Sequence, residues 1–260
     1  MCDTCGCNIT PGNAHLLKDA RGHDTAAVDV LKGLLDANDA QARHNREHFD
    51  LHGVLAINLM SSPGAGKTAL LEATIDALRD ELNMAVIEGD LETENDARRI
   101  RARGVPAIQI TTGTACHLDA HLVHGALHDL PLAGLDVVFI ENVGNLVCPA
   151  SFDLGQHYNV ALLSVTEGDD KPAKYPVMFR AADLVLVTKA DLLDVIDDFS
   201  VARARAAVRA LGRDTLVRTV KARRSPWIGP WTDWLCQVVE QHRHTLRPAP
   251  PARPLAPLHA

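Results

Sequence analysis

Residues 54–68 read VLAINLMSSPGAGKT, and this stretch decides the fold. Val54–Met60 is a mostly apolar run of strand length. It leads straight into Ser61-Ser62-Pro63-Gly64-Ala65-Gly66-Lys67-Thr68, and a helical apolar pattern follows through about Leu82. Strand, glycine-rich loop and helix in that order are the context in which a backbone loop cradles phosphate. Gly64 and Gly66 let backbone N–H groups close on phosphate oxygens. Ala65 and Ala69 lie in the same cradle, where the helix N-terminus adds a favourable dipole. Lys67 is placed to reach the β- and γ-phosphates, and the Thr68 hydroxyl to ligate Mg²⁺. The usual pattern opens with Gly where this chain has Ser61, but every phosphate-contacting position is kept.

Working outward, six further apolar runs alternate with helical patterns: Ala85–Ile87, Ala107–Ile110, Val137–Ile140, Val160–Val165, Leu184–Val187 and Leu216–Val220. Short buried strands separated by helices predict an α/β fold, with a mostly parallel, doubly wound sheet of about seven strands flanked by helices. Around this domain of residues 51–246, three appendages are expected. Residues 1–25 form a flexible arm, and residues 26–50 a helix with apolar spacing at Val28, Leu31, Leu34 and Leu35. Residues 247–260 (RPAPPARPLAPLHA) form a disordered Pro-rich tail. Only 4% of residues are aromatic against 47% hydrophobic, so aliphatic side chains fill the core. The net charge of −7 argues against nucleic-acid or acidic-membrane partners. No apolar run approaches the length of a membrane span, and the N-terminus lacks a signal-peptide pattern. A cytoplasmic location is therefore expected, where cysteine clusters more often bind metal than pair.

Thr188-Lys189-Ala190-Asp191 ends the sixth run and resembles the guanine-specificity motif Asn-Lys-x-Asp. A carboxylate at Asp191 accepts two hydrogen bonds from guanine N1–H and N2–H₂. Adenine offers no such donor pair and would leave the carboxylate unpaired. Lys189 lays its stem along the base, and Lys221-Ala222, followed by Arg223 and Arg224, is the expected last base-contacting loop. Glu141-Asn142-Val143-Gly144 stands where GTPases carry Asp-x-x-Gly. Glu141 is expected on Mg²⁺ and Gly144 N–H on the γ-phosphate. Asp90, at the edge of another strand, is expected as the second acidic Mg²⁺ group. The expected catalytic set is Lys67, Thr68, Asp90 and Glu141.

Two further groups carry soft ligands. Cys2, Cys5 and Cys7 crowd the first seven residues, where no core can form; metal binding, redox exchange and cross-linking are all open to them. Cys116-His117 is expected to open a helix, and Cys148 follows the acidic loop. Two thiolates and an imidazole suit Zn²⁺ or Ni²⁺. His117, His121, His124 and His128 recur at i, i+4, i+7 and i+11 along one expected helix face. That stripe reads as a solvated polar face or, for metal, adds His121 to the site.

With these residues assembled, the chain resembles the HypB family of nickel-inserting GTPases of [NiFe]-hydrogenase maturation. The resemblance runs from about residue 53 to 195. It is carried by SSPGAGKT (61–68), IEGDLETENDARRI (87–100), GTACHLDAH (113–121), ENVGNLVCPASFDLG (141–155) and TEGDDKPAKYP (166–176), with the N-terminal Cys-x-x-Cys-Gly-Cys. It implies a slow GTPase that dimerises around GTP. Nickel is held tightly by Cys2, Cys5 and Cys7 and again by Cys116, His117 and Cys148 at the dimer interface. Thr166–Pro176, with Asp170 and Lys171, looks like the loop that senses nucleotide across the dimer. A HypA-like nickel chaperone and the hydrogenase large-subunit precursor are the implied partners. Three rivals remain. Urease-accessory GTPases typically show Cys-Pro-His and Gly at the loop start. The others are a nickel or zinc storage protein and an ATP-dependent partitioning-type switch.

Overall fold

The computed structural model describes residues 24–90, 94–113, 115–223 and 226–246. Cys2, Cys5 and Cys7, the tail 247–260 and Arg224 lie outside these. Seven strands form one sheet: β1 (Leu55–Ser61), β2 (Met84–Asp90), β3 (Ala107–Thr111), β4 (Val137–Glu141), β5 (Tyr158–Ser164), β6 (Leu184–Thr188) and β7 (Leu216–Thr219). The order is β3-β2-β4-β1-β5-β6-β7. Every pairing is parallel, where the sequence predicted a mostly parallel sheet. The chain steps out from β1 to β3, returns through β4, then crosses to β5. Connections thus leave β1 in opposite directions, and the crevice this opens lies beyond the strands' carboxyl ends.

The alternation of β1 sorts the core. Leu55, Ile57 and Leu59 face Leu70, Leu71 and Ile75 of α2 (Lys67–Leu78), and Trp231 and Leu235 of α8 (Gly229–Leu246). On the other face Ala56 joins Phe49, Val123 and Ile140, while Met60 joins Leu163, Phe179 and Val208. Between these two apolar patches β1 presents Asn58, fully buried. Its amide donates to Asn159 Oδ1 at 3.0 Å and its carbonyl accepts from Asn142 Nδ2 at 3.2 Å. Both of its polar ends are bonded, which offsets the desolvation cost.

The first helix, α1 (Asp24–His52), extends two residues beyond each end of the predicted 26–50. Two buried asparagines clamp it. Asn38 donates to Asp153 O at 2.8 Å and accepts from Ala120 N at 2.9 Å. Asn45 donates to Ala120 O and Leu154 O at 2.8 and 3.0 Å. In α4 (Ala120–Leu127), Asp119 is the N-cap, accepting from Leu122 N at 2.8 Å. Cys116 and His117 therefore lie in the loop before α4 and do not open it. His117 is off the face shared by His121, His124 and His128, because the cap sets the helix start three residues later than the spacing suggested.

Candidate nucleotide and metal site

Beyond the carboxyl ends of the strands lies a cleft of about 800 Å³. Pro63 through Ala69 form its floor, and Glu141 to Gly144 one wall. Gly66 takes a left-handed backbone (φ 101°) and turns the loop into α2. Ser61, the departure from the usual glycine, is buried; its Oγ accepts from Lys67 Nζ at 3.1 Å and donates to Ser62 O at 2.6 Å. The hydroxyl thus orients the lysine at the start of α2. Gly144 packs on Pro63 so closely that a Cβ there would come within 2.8 Å of Pro63 Cα. The loop after β4 is thereby fitted to the phosphate loop without a side chain between them.

The acidic corner differs from the sequence reading. Thr68 Oγ1 donates to Glu141 Oε1 at 2.9 Å. Among the described residues, Glu88, Asp96 and Glu141 offer carboxylate ligand atoms within 4.8 Å of one another. Asp90 lines the cleft but is not in this group. The register explains it: β2 pairs with β4 so that Glu88 stands beside Glu141. Asp96 is held by Arg99 Nη1 at 2.6 Å, and Arg99 is itself anchored on Glu72. Glu88 Oε2 and Glu141 Oε2 are buried with no donor. Such a pair accepts either a shared proton or a cation, and with Thr68 it supplies the hard oxygen donors that Mg²⁺ prefers. These residues fit the ion.

Burial, and next the Glu141 charge, pushes the Glu88 carboxyl up to about 11. Without a cation the folded protein therefore keeps a proton here between the ordinary value of 4.5 and about 11. The unfolded chain has already released it in that window. Stability is then greatest below the ordinary value and falls as pH rises, by up to about 1.4 kcal/mol per pH unit from this group. In Glu88→Gln that slope, followed by urea unfolding across neutral pH, should shrink to what the buried Glu141 carboxyl still contributes, and fewer protons should be released on Mg²⁺ binding. An unchanged slope would refute the assignment.

At the other end, Thr188, Lys189, Asp191, Leu192, Ala222 and Arg223 line the cleft. Thr188 Oγ1 donates to Ala65 O at 2.7 Å, so the threonine that replaces asparagine ties the base loop to the phosphate loop. Lys189 adopts a left-handed backbone (φ 56°) to make the turn. Lys221 pairs with Trp227 and is not in the lining; among the described residues of that loop, Ala222 and Arg223 line the cleft. Lys171 opens the short helix α5 (Lys171–Lys174), with its ammonium 5.2 Å from the Tyr175 ring centroid. It does not line the chain's own cleft.

Cys116, His117 and Cys148 converge as expected, with ligand atoms within 4.8 Å of one another. The sulfurs are 3.0 Å apart, and His117 Nδ1 lies 3.6 Å from Cys116 Sγ. The His117 ring stacks on Phe152 at 4.0 Å, and burial lowers its pKa, which favours the neutral, ligating imidazole. This donor set fits a borderline cation. His121 is exposed on α4 and outside the group. Sequence reasoning missed the connection between the sites. Asn142, almost fully buried, accepts from Leu118 N at 3.1 Å and Val143 N at 3.0 Å through one oxygen. Leu118 also presses on Gly89, where a Cβ would approach its side chain to 2.8 Å. The metal loop, the loop after β4 and the end of β2 therefore share contacts.

The all-parallel sheet, the phosphate loop and the acidic corner define a P-loop nucleotide-binding protein. The CobW/HypB/UreG nucleotide-binding domain family matches residues 55–215. Hydrogenase maturation factor HypB of Azotobacter chroococcum mcd 1 is 51% identical over 210 residues, which cover 80% of this chain and 68% of that one. The Escherichia coli K12 factor is 50% identical over 208 residues, covering 80% and 71%. The crystal structure of HypB from Helicobacter pylori in complex with nickel superposes with a TM-score of 0.75 at 40% identity, over 82% of this chain and 98% of that one. That of Archaeoglobus fulgidus HypB gives 0.73 at 36% identity, over 79% and 100%. The chain belongs to the HypB family of hydrogenase maturation factors. Among the described residues no helix is long and apolar enough to cross a membrane.

Proposed function

We propose that the chain is a GTP-hydrolysing nickel carrier that delivers nickel to the [NiFe]-hydrogenase large-subunit precursor, in concert with a HypA-like chaperone. Lys67 and the Gly64–Gly66 backbone bind the phosphates, Asp191 reads guanine, and Thr68 with Glu141 and Glu88 would hold Mg²⁺. Magnesium supplies charge neutralisation on the phosphates. Gly144 N–H meets the γ-phosphate, and its fit against Pro63 transmits that contact to the loop after β4. GTP draws two copies together, and Asp170 and Lys171, placed outside their own cleft, reach the partner's nucleotide. Turnover by one copy is slow, as for switches that await a missing group.

The observation that carries this reading is Asn142, whose single oxygen bonds the metal loop and the nucleotide loop together. Nickel affinity at Cys116/His117/Cys148 should differ between the GDP and GTP-analogue states of the full chain. Asn142→Ala should erase most of that difference while leaving GTP binding within a few-fold. Equal affinities in the wild type would sink the coupling. A storage protein instead predicts normal nickel delivery after Lys67→Ala.

A further inference from the structure

Four imidazoles meet where α1 packs on α4. His44 and His48 are one turn apart on α1, with ring centroids 4.9 Å apart; the centroid of His124 is 5.1 Å from His44 and 5.8 Å from His48. His128, one turn beyond His124, has its ring 4.7 Å away. We infer that His124 and His128, flanked by His44 and His48, form a surface site for a borderline divalent cation of the nickel and zinc class.

The argument begins with Asn45. Its Nδ2 is committed to Ala120 O and Leu154 O, which fixes the amide orientation. Asn45 Oδ1 therefore faces His124 Nδ1 at 3.1 Å, and it also accepts from Gln41 Nε2. Only an Nδ1–H can bond to that oxygen, so the lone pair of a neutral His124 sits on Nε2. A ring nitrogen so fixed by a second bond is the arrangement found behind metal-ligating histidines. His124 Nε2 and His128 Nε2 are 3.3 Å apart. With metal–nitrogen bonds near 2.05 Å, the edge of a tetrahedral site is about 3.3 Å, so the pair already stands at ligand spacing. His44 and His128 are exposed and His48 half-buried, free to swing the further imidazoles in. Burial, then repulsion from His128, His44, His48 and His121, lowers the His124 pKa, which favours the neutral ring.

The same reasoning excludes the grouping of Asp50, His157 and His242. There Ala56 N–H donates to His157 Nδ1 at 2.8 Å, so Nε2 carries the proton and spends it on Asp50 at 3.0 Å. That histidine is a donor clamp.

Equilibrium dialysis of the full chain against Zn²⁺ and Ni²⁺ tests the site. His44→Gln/His128→Gln, both surface changes outside the nucleotide cleft, should bind one ion fewer per protomer and keep wild-type GTP hydrolysis. Cys116→Ser/Cys148→Ser should retain the histidine-bound ion. In the intact wild type, zinc should shift the ¹⁵N resonances of His124 and His128 Nε2. Equal ion numbers and affinities in wild type and histidine variant, or unmoved Nε2 resonances at zinc saturation, overturn the inference.

Discussion

Lys67→Ala lowers GTP hydrolysis by about 10²–10³-fold, the loss typical of removing one preorganised charge from a developing transition state. Lys67 is almost fully buried at the mouth of α2 and held by Ser61. It is the cation that opposes Glu88 and Glu141 in the acidic corner. Alanine removes the group that meets the phosphates and leaves those carboxylates facing the phosphate charge. Binding of a fluorescent GTP analogue should therefore weaken along with phosphate release. The fold should persist, because the lysine packs no core. Hydrolysis within threefold of wild type would remove Lys67 from the mechanism.

Cys116→Ser/Cys148→Ser lowers nickel affinity at the interior site by more than about 100-fold, since hydroxyls do not replace thiolates for a borderline cation. The readout is competition with a chromophoric chelator, with the N-terminal cysteines retained so that their contribution is measured separately. Cys148 is almost fully buried beside Asn145, so its serine also costs roughly 1 kcal/mol of stability through an imperfectly bonded hydroxyl. Cys116 is less buried, and its serine alone should be near neutral for stability. Unaltered affinity in the double variant would leave the cysteines as packing residues.

How much was legible in the sequence follows from which signals are local. The strand–loop–helix around residues 54–68 and Thr188–Asp191 carry their chemistry within a few consecutive residues, and each occupies its expected place in the cleft. Seven apolar runs mark seven strands because buried parallel strands are apolar on both faces. The unpredicted features have one origin. Asp90 and Glu88 share a face of β2 by the period of two, and nothing local says which lies nearer Glu141. His121 shares a helical period with His117 only if the helix includes both, and the Asp119 cap excludes that. Asn38, Asn45, Asn58 and Asn142 read as ordinary polar residues until their partners, far along the chain, are known.

The sequence alone determined the sheet-and-helix class, the glycine-rich loop, the carboxylate of Asp191 at the cleft and the two thiols with an imidazole, because spacing along the chain specifies each. Tertiary structure alone decided which carboxylates stand together in the acidic corner, through the parallel register that sets Glu88 beside Glu141. It also decided that Asn142 joins the metal loop to the nucleotide loop, and that histidines from α1 and α4 face one another. Strand pairing and helix packing bring together residues many positions apart, and no local period encodes those meetings.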